Sequence, residues 1–159
     1  MKKLVLVAFI LCLFVPLSFP QANPRGEASI DLSGGRVTIE YGRPSLKGRT
    51  IENMISTGEQ WRMGADASTT LITQVNLNFD DQRVAKGKYV LRVKFLGEQK
   101  WYLLIHDKDD AKVAEVPLTF EENPKNIDLM TIRIEGQEKS ATFTLEWGKL
   151  RLSKNFKAS

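Results

Sequence analysis

From Ile30 onward, apolar and polar residues alternate along most of the chain, and this two-residue rhythm narrows the possible folds more than any other feature. Successive side chains of a strand leave opposite faces, so alternation marks a half-buried ribbon, whereas an amphipathic helix needs apolar residues three and four apart. Ile30 and Leu32 lead into Gly34-Gly35, and Val37, Ile39 and Tyr41 follow. Two alternating runs joined by glycines predict a hairpin, because glycine reaches the positive φ that such turns require. Leu71, Val75, Leu77 and Phe79 carry the rhythm to a turn at Asp80-Asp81-Gln82, and Tyr89, Leu91, Val93 and Phe95 resume it after Gly87. The run 101–106 is apolar on both faces, which predicts a central strand, and residues 107–112 form a charged loop. Val116, Leu118 and Phe120 alternate around Pro117, which implies an edge, and Met130, Ile132 and Ile134 define a strand that stops at Gly136.

The last strand carries a change of parity. Phe143, Leu145 and Trp147 share one face, whereas Leu150 and Leu152 belong to the other, so a bulge or bend is expected at Gly148. Residues 49–58, with Ile51, Met54 and Ile55, are the one stretch with helical spacing. Eight or nine strands without intervening helices exclude a parallel βαβ architecture and predict an all-β fold. The expected form is a single antiparallel β-sandwich of jelly-roll or Greek-key type, with at most one short helix near residues 49–58 and a closed barrel as the alternative.

The N-terminus reads as a secretory signal: Lys2-Lys3 precede an apolar run from Leu4 to Phe19, and Ala22 offers a small residue for cleavage. The run is short for a membrane span, so the mature chain is expected to begin near Asn23, to carry no stable span and to be secreted or periplasmic. The single cysteine, Cys12, falls in that signal, which leaves one domain over residues 23–159 without a disulfide or a thiolate metal site. The whole chain has 23 Lys and Arg against 19 Asp and Glu; without Lys2 and Lys3 the net charge is +2. That modest excess argues against a nucleic-acid partner.

Several chemistries are excluded by residue type. The chain has no G-x-S-x-G elbow, phosphate-binding glycine loop or H-E-x-x-H motif, and its one histidine, His106, cannot build a multi-histidine zinc site. No metal and no cofactor are expected. Asp107 follows His106 directly and would point to the opposite face of a strand, so it does not orient the ring for a catalytic triad. The Asp107, Asp109, Asp110 run lacks the glycine and glutamate of a calcium loop, having Lys112 and Leu118 at those positions.

Two polar blocks interrupt the alternation, and irregular backbone beside a rigid sheet is where sites concentrate. In the first, Arg43, Lys47 and Arg49 flank Pro44 and Gly48, a pattern suited to a carboxylate, phosphate or sulfate group. The ordinary structural use of such arginines is bonding to carbonyls. In the second block, Trp61, Arg62 and Asp66 suggest an ion pair with an aromatic cover, since Arg62 and Asp66 stand four apart. With His106 these residues are the candidate ligand-binding positions, provided that the blocks converge on one cleft.

The same blocks make the chain recognisable. Pro24-Arg25, the stretch from Glu40 through Ser45 to Lys47-Gly48-Arg49, the run Trp61-Arg62-Met63-Gly64-Ala65 with Ala67-Ser68-Thr69-Thr70, and Gly87-Lys88-Tyr89 together resemble the DUF2911 family of secreted bacterial proteins of unknown function. The likeness runs from about Pro24 to Trp147. Longer relatives often have N-E-A-T-T where this chain has Asp66-Ala67-Ser68-Thr69-Thr70, and they carry extra sequence after the strand corresponding to residues 101–105. The resemblance implies no reaction, ligand or catalytic residue. Three functions compete: a non-catalytic envelope module binding a glycan or anionic small molecule, a hydrolase-type enzyme using His106 or acidic residues, and a structural or protein-interaction domain.

Overall fold

The computed structural model describes residues 22–159, so the expected signal lies outside the described residues except for Ala22. Ten strands follow one another: β1 (Arg25–Leu32), β2 (Gly35–Gly42), β3 (Gln60–Trp61), β4 (Thr70–Thr73), β5 (Leu77–Phe79), β6 (Gln82–Val84), β7 (Gly87–Phe95), β8 (Trp101–His106), β9 (Lys112–Gln137) and β10 (Ser140–Ala158). Their neighbour order is β1-β2-β4-β7-β8-β9-β10-β5-β6, all antiparallel, with β3 beside β7. The path does not close into a barrel, and the all-β expectation holds.

β1 and β2 form the expected hairpin, in register from Arg25 opposite Gly42 to Leu32 opposite Gly35. Gly34 turns it with φ +105°, a conformation that side chains with a Cβ rarely adopt. β8 lies between β7 and β9 with side chains buried on both faces, as its unbroken apolar run implies.

Two readings of the alternation change. The run from Leu71 to Phe79 is not one strand: β4 pairs with β2 and β7, whereas β5 pairs with β10 and β6. The chain crosses between the layers at Gln74–Asn76, where the Thr73 hydroxyl donates to the Val75 carbonyl at 2.6 Å and accepts from its amide. Conversely, the stretches around Val116 and Ile132 belong to one strand, β9, of 26 residues. Leu118 pairs with Trp101 of β8, and the next residue, Thr119, pairs with Ser153 of β10. β9 thus passes from one layer into the other, and the first part, with Pro117, is the edge of its layer.

The core lies between the layers. Val37, Ile39, Leu71, Leu91 and Leu103 from the first layer meet Ile134, Phe143, Leu145 and Phe156 from the second. The parity change at Gly148 is present, with φ +59° there and register shifts on both sides. The extra residues sit on the partner strand: the two-residue step from Glu146 to Gly148 faces Thr131 to Ile127, and the step from Gly148 to Leu150 faces Ile127 to Glu122. The helix expected near residues 49–58 is a single 3₁₀ turn, Ile51–Asn53, that buries Ile51 and, just beyond it, Ile55.

Candidate functional site

The first polar block is a strap that ties β2 to β9. Tyr41 of β2 and Arg43, just past its end, lie on the same side over Gly26, and both reach the same stretch of β9. The Tyr41 hydroxyl accepts from the Ile132 amide at 2.9 Å and donates to its carbonyl at 3.2 Å. Arg43 donates through Nε to the Met130 carbonyl and through Nη2 to Thr131 Oγ1, each at 3.0 Å. Beyond it the Met130 amide donates to the Pro44 carbonyl, and the Leu46 amide to the Asp128 carbonyl. Ser45 Oγ donates to the Asp128 carboxylate, which also accepts from the Lys47 amide at 3.2 Å. Arg49 bonds the carbonyls of Leu46 and Ser45. Arg43 is therefore committed to β9, whereas the side chains of Lys47 and Arg49 remain exposed.

The second block packs against the first through backbone. A Cβ placed on Gly42 would stand 2.0 Å from the Ala65 carbonyl oxygen, and Gly64 faces the Gly42 carbonyl in turn. Trp61 stacks on Trp147 with ring centroids 5.4 Å apart and planes at 11°, while Trp147 Nε1 donates to the Asp128 carbonyl at 3.1 Å. The expected Arg62–Asp66 ion pair is replaced by a different arrangement. Arg62 donates to the Asp66 carbonyl at 3.3 Å, and the Asp66 carboxylate accepts from the Asn23 amide at 3.0 Å. Asp66 has φ +62°, so the segment is not the helical turn that would bring the two side chains together.

His106 stands apart from both blocks. It ends β8, opposite Val90 of β7 and Lys112 of β9, and is only 4% exposed. Its Nδ1 is buried without a protein partner among the described residues. Burial, reinforced by Arg92 and Lys112 and opposed by Asp110 and Asp107, holds the imidazole below its ordinary pKa. A groove of about 500 Å³ at this end is lined by Thr70, Tyr89, Asp107 and Lys108, but not by His106. Asp107 turns its carboxylate onto the amides of Asp109 and Ala111 and caps its own loop.

A cleft with apolar walls lies at the opposite end of β8, about 16 Å away at the usual strand rise. Ile51, Ile55, Phe95, Trp101, Phe120 and Leu150 wall a cavity of about 490 Å³, with Gln99, Glu122 and Lys149 as its polar members. Phe95 and Trp101 stack at 4.4 Å. A second cleft of about 300 Å³ adjoins it, sharing Ile51 and Lys149, and contains Arg49, Thr50, Asn126 and Asp128. Of the seven sequence candidates, only Arg49 lines this pair of clefts. Among the described residues no group of three or more His, Cys, Asp or Glu side chains is placed to hold a metal.

The model of the family described as "Protein of unknown function (DUF2911)" matches residues 23–156. The chain belongs to the DUF2911 family. No curated protein and no solved structure matches it. The residues on which the DUF2911 resemblance rests are thus, in large part, those of the strap and of the segment locked against it.

One polar cluster of this DUF2911 chain carries no sequence signal. Glu146 is buried on β10, its carboxylate shared by Arg133, by Arg151 Nη1 at 3.2 Å and by Asn123 Nδ2 at 3.0 Å. Glu146 alternates correctly with Leu145 and Trp147, so the sequence pattern assigns it to solvent. Only the displaced residues of β9, which bring Asn123 over it, reveal a buried position. The clefts were equally hidden, because their walls come from five separate segments.

Proposed function

We propose that the protein is an exported, non-catalytic binding module whose site is the pair of joined clefts around Ile51 and Lys149, and that its ligand is a small anion, acidic sugars being one class. The observation that carries this reading is the placement of Arg49 and Lys149 on one cleft where the one acid among the described side chains, Asp128, already accepts from Ser45 Oγ and the Lys47 amide. Arg49 holds two carbonyls through Nε and Nη2, which fixes its guanidinium and leaves Nη1 to face a ligand. Phe120, Glu122, Asn126, Asp128, Lys149 and Leu150 stand within β9 and β10, and Phe95 and Trp101 at the ends of β7 and β8; the part of a site built on such rigid elements needs little ordering when it binds. Enclosure of His106 and the commitment of Asp107 to its loop support a binding role over hydrolysis. The lysine-led apolar N-terminus supports export.

A panel of acidic and neutral oligosaccharides and small carboxylates, titrated at low and high salt, tests the proposal. Acidic members are expected to bind, to weaken as salt rises, and to lose affinity in Lys149→Met and Arg49→Met proteins that melt as the parent does. Binding that ignores both substitutions would remove the clefts as the site.

A further inference from the structure

Resting on that reading, we infer that the ligand is an anionic amphiphile, a single acyl chain ending in a carboxylate, with the chain in the larger cleft and the head group in the smaller one. The two clefts differ in chemistry. Six apolar side chains wall the 490 Å³ chamber, a size within the range of small-molecule sites. A sugar would leave hydroxyl groups facing these walls without partners, which is costly, whereas a hydrocarbon chain loses nothing there. The adjoining cleft supplies Arg49, Lys149, Thr50 and Asn126 within reach of a head group lodged beside Ile51.

Charge sets the direction of the ligand. Among the described side chains Glu122 is the one carboxylate on the chamber, opposite Leu150 in register, and it disfavours an anionic head on its side. Asp128, the acid of the smaller cleft, is held by Ser45 Oγ and the Lys47 amide. Lys149 bridges the two clefts, and its one hydrogen bond among the described residues is a long one, 3.4 Å to the Pro124 carbonyl. An incoming carboxylate therefore meets a cation that gives up little to receive it. Gly148 beside it has φ +59° and turns the strand where the clefts meet, which places Lys149 at their junction and Leu150 on the larger one.

Calorimetric titration of the purified protein with decanoate, decyltrimethylammonium, acetate and glucuronate, all below micelle-forming concentrations, separates the contributions. Decanoate is expected to bind at least about tenfold more tightly than any of the others. Lys149→Met should weaken decanoate about fivefold and flatten its salt dependence. Ile55→Trp, which fills the chamber, should abolish it; displacement of anilinonaphthalene sulfonate from the unaltered protein gives the same answer if that variant does not fold. Equal binding of decyltrimethylammonium, or undiminished binding of decanoate to a folded Ile55→Trp protein, would overturn the inference. Lys149-dependent binding of glucuronate without decanoate would overturn the acyl chain alone and leave the anion site standing. If none of the anions binds, both readings fall.

Discussion

Gly42 lies so close to Ala65 that a Cβ on the glycine would stand 2.0 Å from the alanine carbonyl oxygen and 2.8 Å from its carbon. Both are backbone atoms, so no rotamer change can relieve the contact. Gly42→Ala must push the segment after Trp61 away from β2 and disturb the Trp61–Trp147 stack. The expected cost is about 3 kcal/mol, at the upper end for overpacking, and a urea titration reads it directly. Gly48→Ala is the contrast: nothing lies within 4 Å of its Cβ, and only its φ of +79° resists the change, which predicts a loss of about 1 kcal/mol.

Tyr41→Phe should cost about 2 kcal/mol, although it removes one oxygen atom. That oxygen satisfies both the amide and the carbonyl of Ile132, and both lie in buried surroundings. The phenyl ring would still pack, so the loss isolates the hydrogen bonds between β2 and β9. Equilibrium unfolding with an unchanged denaturant slope is the expected result.

What could be read in the sequence was what depends on neighbours along the chain. The β1–β2 hairpin, the central place of β8 and the bend at Gly148 each follow from alternation and glycine, which are local rules. Where one run splits between layers, as at Gln74–Asn76, the alternation survives on both sides because each half keeps an apolar face to the same core. Periodicity is blind to such a crossing. It is equally blind to the passage of β9 between layers at Leu118 and Thr119, since a strand that changes partners need not change rhythm. Of the site, the arginine-rich block was conspicuous, yet Arg43 serves the joint between layers. Arg49 alone of those candidates reaches a cleft, and its companion Lys149 was unremarkable in sequence because the surface that they share is assembled from distant segments.

The buried carboxylate of Glu146 organises Arg133, Arg151 and Asn123 on the outer side of the second layer. Glu146→Ala would leave the two guanidiniums beside each other and Asn123 without its acceptor. Their partial exposure, 47% for Arg133 and 42% for Arg151, lets water take up part of the loss. We expect about 2 kcal/mol, below the cost of breaking a fully buried pair. Glu146→Gln, which can still accept from Asn123, should lose less. Thermal melting of the two variants at matched salt distinguishes the charge from the hydrogen bond.

His106 predicts an acid-sensitive contribution to stability, and its sign follows from the direction of its shift. Burial, with Arg92 and Lys112 nearby, lowers the folded-state pKa below the ordinary 6.5, against the weaker pull of Asp110 and Asp107. The unfolded chain therefore binds a proton more readily than the folded one. Above pH 6.5 the histidine is neutral in both states and its contribution is complete; as the pH falls from there through the folded-state value, the contribution is lost. His106→Gln has no proton to bind, so its melting temperature should fall less steeply than that of the parent below pH 6.5, and the two curves should run parallel above it. Parallel curves throughout would mean that the imidazole protonates in place, with Nδ1 donating to water rather than lying buried without a partner.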